Sequence, residues 1–289
     1  PVTARYSLIL NGKKIAGGSK EFSIQPGFTA DWDITLEIPT GQQEDRVTGE
    51  FILSSFVQDT EVFREVKKIA VVRPDAVPVP QVEPGKIAVW DTQGAAKQHL
   101  QQRGIAFLPC DSLESLPDSS QVLIIGADTL HGRITTDPVW QELARSGKRI
   151  IVLDQALPLH YQALGTGMEP SGYVGRIAHI ENPAHPVLLG IEAIDLSTWN
   201  NDHVLYRNPL EKTGDGVLSL IQCDDKLAYT ALGERRIGQG TLLFSQLLMG
   251  EKLGSNATAK RLFDNMLNYA LSYTPPDKQT VLAAAPNSA

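Results

Sequence analysis

Lys86 to Leu108 reads KIAVWDTQGAAKQHLQQRGIAFL, and this stretch decides the fold. Lys86 to Asp91 has the short apolar run of a strand, Ala95 to Arg103 is a short amphipathic helix, and Gly104 stops it. Ile105 to Leu108 then starts a second strand, so the whole is a β-α-β unit, the building block of a parallel sheet. The rhythm continues outward. Gln121 to Gly126 predicts a third strand, Pro138 a helix start ahead of Trp140 and Leu143, Gly147 its end, and Arg149 to Asp154 a fourth strand. Residues 155 to 215 carry scattered glycines and prolines and read as irregular. Strand pattern returns at Val217 to Cys223, Leu227 to Leu232 and Thr241 to Leu247, which are expected to close a largely parallel sheet. Ser255 or Asn256 can cap a last helix whose Leu262, Phe263, Met266, Leu267, Ala270 and Tyr273 share one face, and Pro275-Pro276 ends it.

Upstream of Lys86 the pattern is different. Thr3 to Val72 alternates in short segments rich in β-branched and aromatic residues, with no helical period. Asn11-Gly12 supplies the positive φ angles of a two-residue hairpin turn, and Gln25-Pro26-Gly27 marks another turn. Ala30 to Ile38, Arg46 to Val57 and Glu61 to Val72 read as further strands of a small immunoglobulin-like sandwich. Pro74, Pro78, Pro80 and Pro84 favour an extended linker. The expected organisation is a β-sandwich over 1–73, a linker over 74–85, an α/β domain over 86–275 and a loose tail over 276–289.

Composition narrows the function. The 289 residues are 42% hydrophobic and 20% charged, so both domains can bury a core. A formal charge of −7, without a block of lysine or arginine, argues against nucleic acid as a partner. The apolar runs are strand-sized, well short of the ~20 residues a membrane-spanning helix needs. The chain opens at Pro1 without a signal pattern and reads as a fragment whose beginning lies upstream. Cys110 and Cys223 are too few for a disulfide framework, and spacing does not say whether they meet.

In an open α/β sheet, ligands bind beyond the carboxyl ends of the strands. Here that edge carries Asp91, Asp128, Asp154, Gln155, Ser245 and Gln246, and Trp199 in a nearby loop could stack on a sugar ring. A cluster of carboxylates and amides suits a sugar or a cation, although strand-end aspartates serve at least as often as helix caps. Other signals are weaker. No Gly-x-Ser-x-Gly elbow occurs, Cys110 and Cys223 read as buried structural thiols, and Gly165-Thr166-Gly167 and Gly238-Gln239-Gly240 lack the spacing of a phosphate loop. His179, His185, His203, Asp195 and Asp202 show no zinc-ligand spacing, so neither a metal nor a cofactor is expected. Asn256-Ala257-Thr258 matches a glycosylation acceptor but reads equally well as a helix cap, and Trp90 and Trp140 read as core.

Certain strings resemble a known family. Ser146-Gly147-Lys148-Arg149-Ile150-Ile151-Val152-Leu153-Asp154-Gln155, His185-Pro186-Val187-Leu188-Leu189-Gly190-Ile191, Asp195-Leu196-Ser197-Thr198-Trp199, Gly238 to Leu247 and Arg261 to Tyr269 are similar to modules of large bacterial glycoside hydrolases. The resemblance implies a flavodoxin-like domain of the class I glutamine amidotransferase-like type, as in the trimerisation domain of some β-galactosidases. It also implies an immunoglobulin-like domain such as those of glycoside hydrolase family 2. Working amidotransferases of this fold place a cysteine after the strand equivalent to Ile150 to Leu153, and a His-x-Glu pair late in the domain. Here Asp154 or Gln155 stands at the first place and Phe244-Ser245-Gln246-Leu247 at the second, which implies lost catalysis. A family 2 catalytic barrel needs about 250 residues and does not fit beside these modules.

The resemblance therefore implies a non-catalytic structural or oligomerisation module of a carbohydrate-degrading enzyme. Its partners would be an upstream catalytic domain of the same polypeptide and further copies of itself, outside the cytoplasm. Two alternatives stay open: a carbohydrate-binding module using the strand-end crevice, and a hydrolase of unrecognised type acting through Ser245 or a carboxylate pair.

Overall fold

A computed structural model describes residues 1–38, 44–73, 77–197, 199, 204–214, 216–224 and 226–276. The expectations placed on Pro74, Asp202, His203 and the tail beyond 276 lie outside these residues. The chain divides into two compact units, Pro1–Ala76 and Val77–Ala289.

The first unit holds a four-stranded antiparallel sheet of β1 (Val2–Leu10), β2 (Lys13–Phe22), β3 (Arg46–Val57) and β4 (Thr60–Val72), in the order β2-β1-β3-β4. Asn11 (φ 46°) and Gly12 (φ 74°) turn β1 into β2, the left-handed pair that matches strand twist. Gln58 (φ 48°) and Asp59 (φ 63°) do the same between β3 and β4, a tight turn that carries no glycine signal in the sequence. Leu8, Leu10 and Val47 form a small core with Ile15, Leu36, Ile69 and Val71 packed on it. The strand expected over Ala30 to Ile38 is not formed. That segment instead lays Trp32 edge-on to Tyr6 (5.4 Å) and Phe22 (6.2 Å), burying apolar surface without joining a ladder.

The second unit runs β5 (Ile87–Trp90), α1 (Ala95–Gln102), β6 (Leu108–Cys110), β7 (Val122–Ile125), α2 (Val139–Arg145), β8 (Arg149–Val152), α3 (Tyr161–Leu164), β9 (Val174–Gly175) and β10 (Ala178–Ile180). It continues with α4 (Ala193–Ser197), β11 (Tyr206–Arg207), β12 (Leu210–Glu211), β13 (Val217–Cys223), β14 (Tyr229–Ile237), β15 (Gly240–Ser245), α5 (Met249–Lys252) and α6 (Ala257–Ser272). The main sheet has nine strands, ordered β10-β13-β14-β15-β8-β7-β5-β6, with β12 beside β14.

Five adjacent strands, β6, β5, β7, β8 and β15, pair in parallel, and the rest join antiparallel. The sheet is thus mixed rather than largely parallel. The reason is local: the turn at Gly238-Gln239 pairs Ile237 with Gly240, and so short a connection can join only antiparallel strands.

The central strands are apolar at every position because both faces are covered. Successive side chains point to opposite faces. Ile87, Val89, Val122, Ile124, Ile151 and Leu243 meet α1 and α6 through Leu100, Leu262, Phe263 and Met266. Ala88, Leu123, Ile125, Ile150, Leu242 and Phe244 meet α2 and α3 through Trp140 and Leu164. Cys223 lies in the first layer and Cys110 in the second, both free thiols. Among the described residues no helix is long and apolar enough to cross a membrane.

Candidate functional site

The loops following β5, β7, β8 and β15 meet at one edge of the parallel sheet, where ligands bind in such sheets. Asp91 ends β5 and is 3% exposed. Its Oδ1 accepts from Gly94 N–H (2.9 Å) and its Oδ2 from Lys97 N–H (3.1 Å), so the carboxylate satisfies the free donors that open α1. Gly126, beside it at the end of β7, must be glycine because a Cβ there would run into the Asp91 carboxylate.

Gln155 is fully buried and spends its whole amide on backbone. Oε1 accepts from Thr129 N–H (2.9 Å) and Leu130 N–H (2.8 Å), while Nε2 donates to Gly126 O (2.7 Å) and Leu153 O (2.9 Å). Gln246 completes the lacing: its Oε1 accepts from Gln155 N–H (3.2 Å), and its Nε2 donates to Gln155 O (3.1 Å) and Arg207 O (3.0 Å). Ser245 is fully buried, and its hydroxyl oxygen accepts from Leu247 N–H (3.3 Å). These side chains stitch loops together.

The charged part of the edge is built on Arg207, in β11. One guanidinium nitrogen, Nη2, donates to both Asp128 Oδ1 and Asp154 Oδ2, the latter at 3.2 Å. Asp128 sits in the left-handed region (φ 49°), and its Oδ1 also accepts from Ala156 N–H at 2.7 Å. Asp154 is 1% exposed, and its Oδ1 accepts from Gly250 N–H at 2.9 Å. Burial raises the Asp154 carboxyl to about 6, and the nearby Asp128 charge adds to the rise; the Gly250 N–H and Arg207 work against it and are outweighed.

The structure thus brings Asp128, Asp154, Gln155, Ser245 and Gln246 together and leaves Asp91 on its helix. Trp199 is 2% exposed within the apolar core, with no ring face free for a sugar. Arg207 escaped the sequence reading because a lone arginine in an irregular stretch has no period or motif. The one available signal was that Asp128 and Asp154 stand at neighbouring strand ends and need a cation.

Other candidates resolve as structural. Among the described residues no three His, Cys, Asp or Glu side chains group to hold a metal. His185 faces Glu234 instead, with Nε2 at 3.4 Å from Oε2. Asn256 caps α6, its Oδ1 accepting from Ala259 N–H at 3.0 Å. Burial raises both thiols, Cys223 to about 12, which leaves neither as a thiolate near neutrality. A cavity of about 520 Å³ lies at the opposite ends of the strands, beside Lys148 and Arg149. The Lys148 ammonium there is spent on Asp118 O (3.2 Å), Ser120 O and Ser120 Oγ (3.1 Å).

The two units define an α/β domain with a mixed sheet, joined in one chain to an antiparallel β domain. No family model and no curated protein matches the chain. Among solved structures it is similar to the exo-β-1,4-mannosidase of Opitutaceae bacterium strain TAV5 (12% identity, TM-score 0.41, covering 67% of this chain and 37% of that one). It is also similar to a β-galactosidase from Rahnella sp. R3 (10%, TM-score 0.40, 66% and 32%). A third is a cytoplasmic protein from Salmonella typhimurium (12%, TM-score 0.39, 78% and 96%). The chain spans about a third of the length of the first two.

Proposed function

We propose that this chain is a non-catalytic structural module of a larger carbohydrate-degrading enzyme, serving to orient or assemble a catalytic domain carried on the same polypeptide. The observation that carries the reading is the state of the strand-end edge. On the resemblance, Asp154 or Gln155 stands where an enzyme of the amidotransferase type would hold its nucleophile, and Ser245-Gln246 where it would hold its base; Gln155, Ser245 and Gln246 are engaged in backbone hydrogen bonds, and Asp154 with Gly250 N–H and Arg207. The chain after β8 runs through a loop before α3 rather than a sharp strand-to-helix elbow.

The parallel strands β6-β5-β7-β8-β15 stand in the order 2-1-3-4-5 when counted along the chain, which supports the flavodoxin-like assignment of the second unit. The first unit supports an antiparallel β domain more than an immunoglobulin-like one: its described residues form one four-stranded sheet, with Trp32 and Leu36 laid on it in place of a second sheet. Hydrolysis through Ser245 is disfavoured because the hydroxyl is fully buried.

The test is to assay the isolated chain against chromogenic glycosides, esters and amides while following its mass by sedimentation. Inactivity with concentration-dependent self-association is the expected result; turnover abolished by Ser245→Ala or Asp154→Asn would overturn it.

One observation favours a second reading, carbohydrate binding at the same edge: Arg207 and Asp128 keep 23% and 37% of their side-chain surface in solvent. A sugar-dependent rise in melting temperature, lost in Asp128→Ala, would establish it.

A further inference from the structure

The sheet of the first unit ends in β2 on one side and β4 on the other. From Thr60 to Lys68 every residue of β4 is exposed, and three apolar side chains stand open on it, Val62 (59%), Phe63 (48%) and Val66 (46%). A strand at the edge of a sheet presents a row of backbone N–H and C=O groups to which a further strand can pair, and such edges are commonly blunted by proline, short length or charge. β4 has no proline and is 13 residues long, so its charges decide what can pair there.

Those charges select one arrangement. An edge that pairs with its own copy antiparallel, about a two-fold axis perpendicular to the sheet, keeps each side chain on its own face and sets one residue opposite itself. Within the exposed stretch, Glu61, Arg64, Glu65, Lys67 or Lys68 on that axis would meet its own charge. Phe63 on the axis would set Glu61 against Glu65, at the end where the ladder with β3 shifts register between Ser55 and Phe56. Val66 meets only a valine.

With Val66 on the axis, Glu65 lies opposite Lys67 of the second copy, Lys67 opposite Glu65, and Phe63 opposite Ile69. Lys67 and Glu65 already stand 3.6 Å apart within one strand, so the four side chains form a ring of alternating sign on one face. On the other face Arg64 lies opposite Lys68, and each brings its own acid: Glu61 is 3.9 Å from Arg64, and Glu50 of β3 is paired with Lys68. Charges that block the other registers therefore favour this one.

We propose that β4 is a self-docking edge, through which two copies of this chain join antiparallel with Val66 on the two-fold axis to make one continuous sheet. The proposal rests on the assembly reading above and adds to it the surface and the register.

The experiment is sedimentation of the whole chain and of variants at exposed β4 positions, where the fold does not depend on the side chain. The wild type is expected to dimerise. Glu65→Lys sets lysine against lysine twice and should weaken the dimer about tenfold or more; adding Lys67→Glu restores opposite signs and should recover it. Under mild oxidation Val66→Cys should give a disulfide-linked dimer, because paired Cα atoms stand about 4.5–5.5 Å apart, whereas Arg64→Cys should not, its copy lying roughly 14 Å away. Cys110 and Cys223 are buried. A dimer untouched by Glu65→Lys, no recovery in the double variant, or cross-linking at position 64 as readily as at 66 would overturn this edge and leave assembly through another surface standing. A wild-type chain that stays monomeric would overturn both, and turnover of a glycoside would sink the non-catalytic reading without touching the edge.

Discussion

Glu234 and Asp154 are the same functional group at the same depth, each 1% exposed, and burial pushes them in the same direction. They end on opposite sides of the ordinary range. Around Glu234, Oε1 accepts from Thr241 Oγ1 (2.9 Å) and from the Tyr269 hydroxyl, Arg236 Nε reaches Oε2 at 3.0 Å, and His185 Nε2 stands 3.4 Å away. Burial is the largest influence and works to raise the acid, but these donors together outweigh it and Glu234 is lowered. Asp154 has the Gly250 N–H, its own backbone N–H and a guanidinium that it shares with Asp128, which burial outweighs, and it is raised. Donor count, not depth, decides the charge state. One carboxylate is built to stay ionised and the other to take up a proton near neutrality.

The largest expected break in that comparison is Glu234→Ala. It strands Thr241, Tyr269 and Arg236 around an empty buried site, and loss of one partner in such a network costs about 3–5 kcal/mol. Urea denaturation at pH 7 should report this; a change below about 1 kcal/mol would mean the cluster is not the anchor its geometry describes. Gln155→Ala comes next. It leaves Thr129 and Leu130 N–H and two carbonyls without partners, at about 2–4 kcal/mol, because each stranded group bears its own desolvation penalty. Its deficit should be unchanged from pH 3 to pH 8, since an amide does not titrate, whereas that of the Glu234 variant shrinks below about pH 4.

Much of the fold was legible because the signals are local. Asn11-Gly12 announced its hairpin, and Pro138, Gly104 and Gly147 bracketed helices that are present. The apolar runs at Ile87, Val122 and Ile150 became the buried centre of the sheet. What was not legible depends on partners distant in sequence. Residues 30–38 alternate like a strand but pack as a cover, and nothing local tells a strand without a ladder from one with it. The loop over 155–215 hid β9 and β11, because two-residue strands leave no period. At the edge, strand-end position located Asp128, Asp154, Gln155 and Gln246 but could not show that the amides are spent on backbone, nor that Arg207 arrives from some fifty residues beyond Asp154. Trp199 illustrates the reverse error, a loop residue that is core.

Asp91 gives a smaller effect of the same kind. Its carboxylate caps Gly94 and Lys97, so Asp91→Ala should cost about 1–2 kcal/mol, as for other helix-start caps, and should reduce helicity at α1 in exchange experiments without touching the Arg207 ties. An equal loss of protection at Arg207 would mean that the bonds of Thr92 to Thr129 carry the disturbance from the Asp91 loop across the edge.

The smallest effect is the most diagnostic. Glu234 has a lowered value, so its contribution is complete above the ordinary range and disappears as pH falls through its folded value. Asp154 has a raised value, so its ionised form is the unfavourable one, and stability grows as pH falls from about 6 toward ~4. The two slopes oppose, and the wild-type chain should show a shallow stability maximum near pH ~4, about 1.5 kcal/mol above its value at pH 7.5. Asp154→Asn removes only the alkaline slope. Melting temperature across pH 3 to 8 checks this: the variant should be flat from pH ~5 upward and decline in acid, where Glu234 still governs. If the variant keeps the alkaline slope, some other group sets it, and the contrast between the two buried carboxylates fails at Asp154 while standing at Glu234.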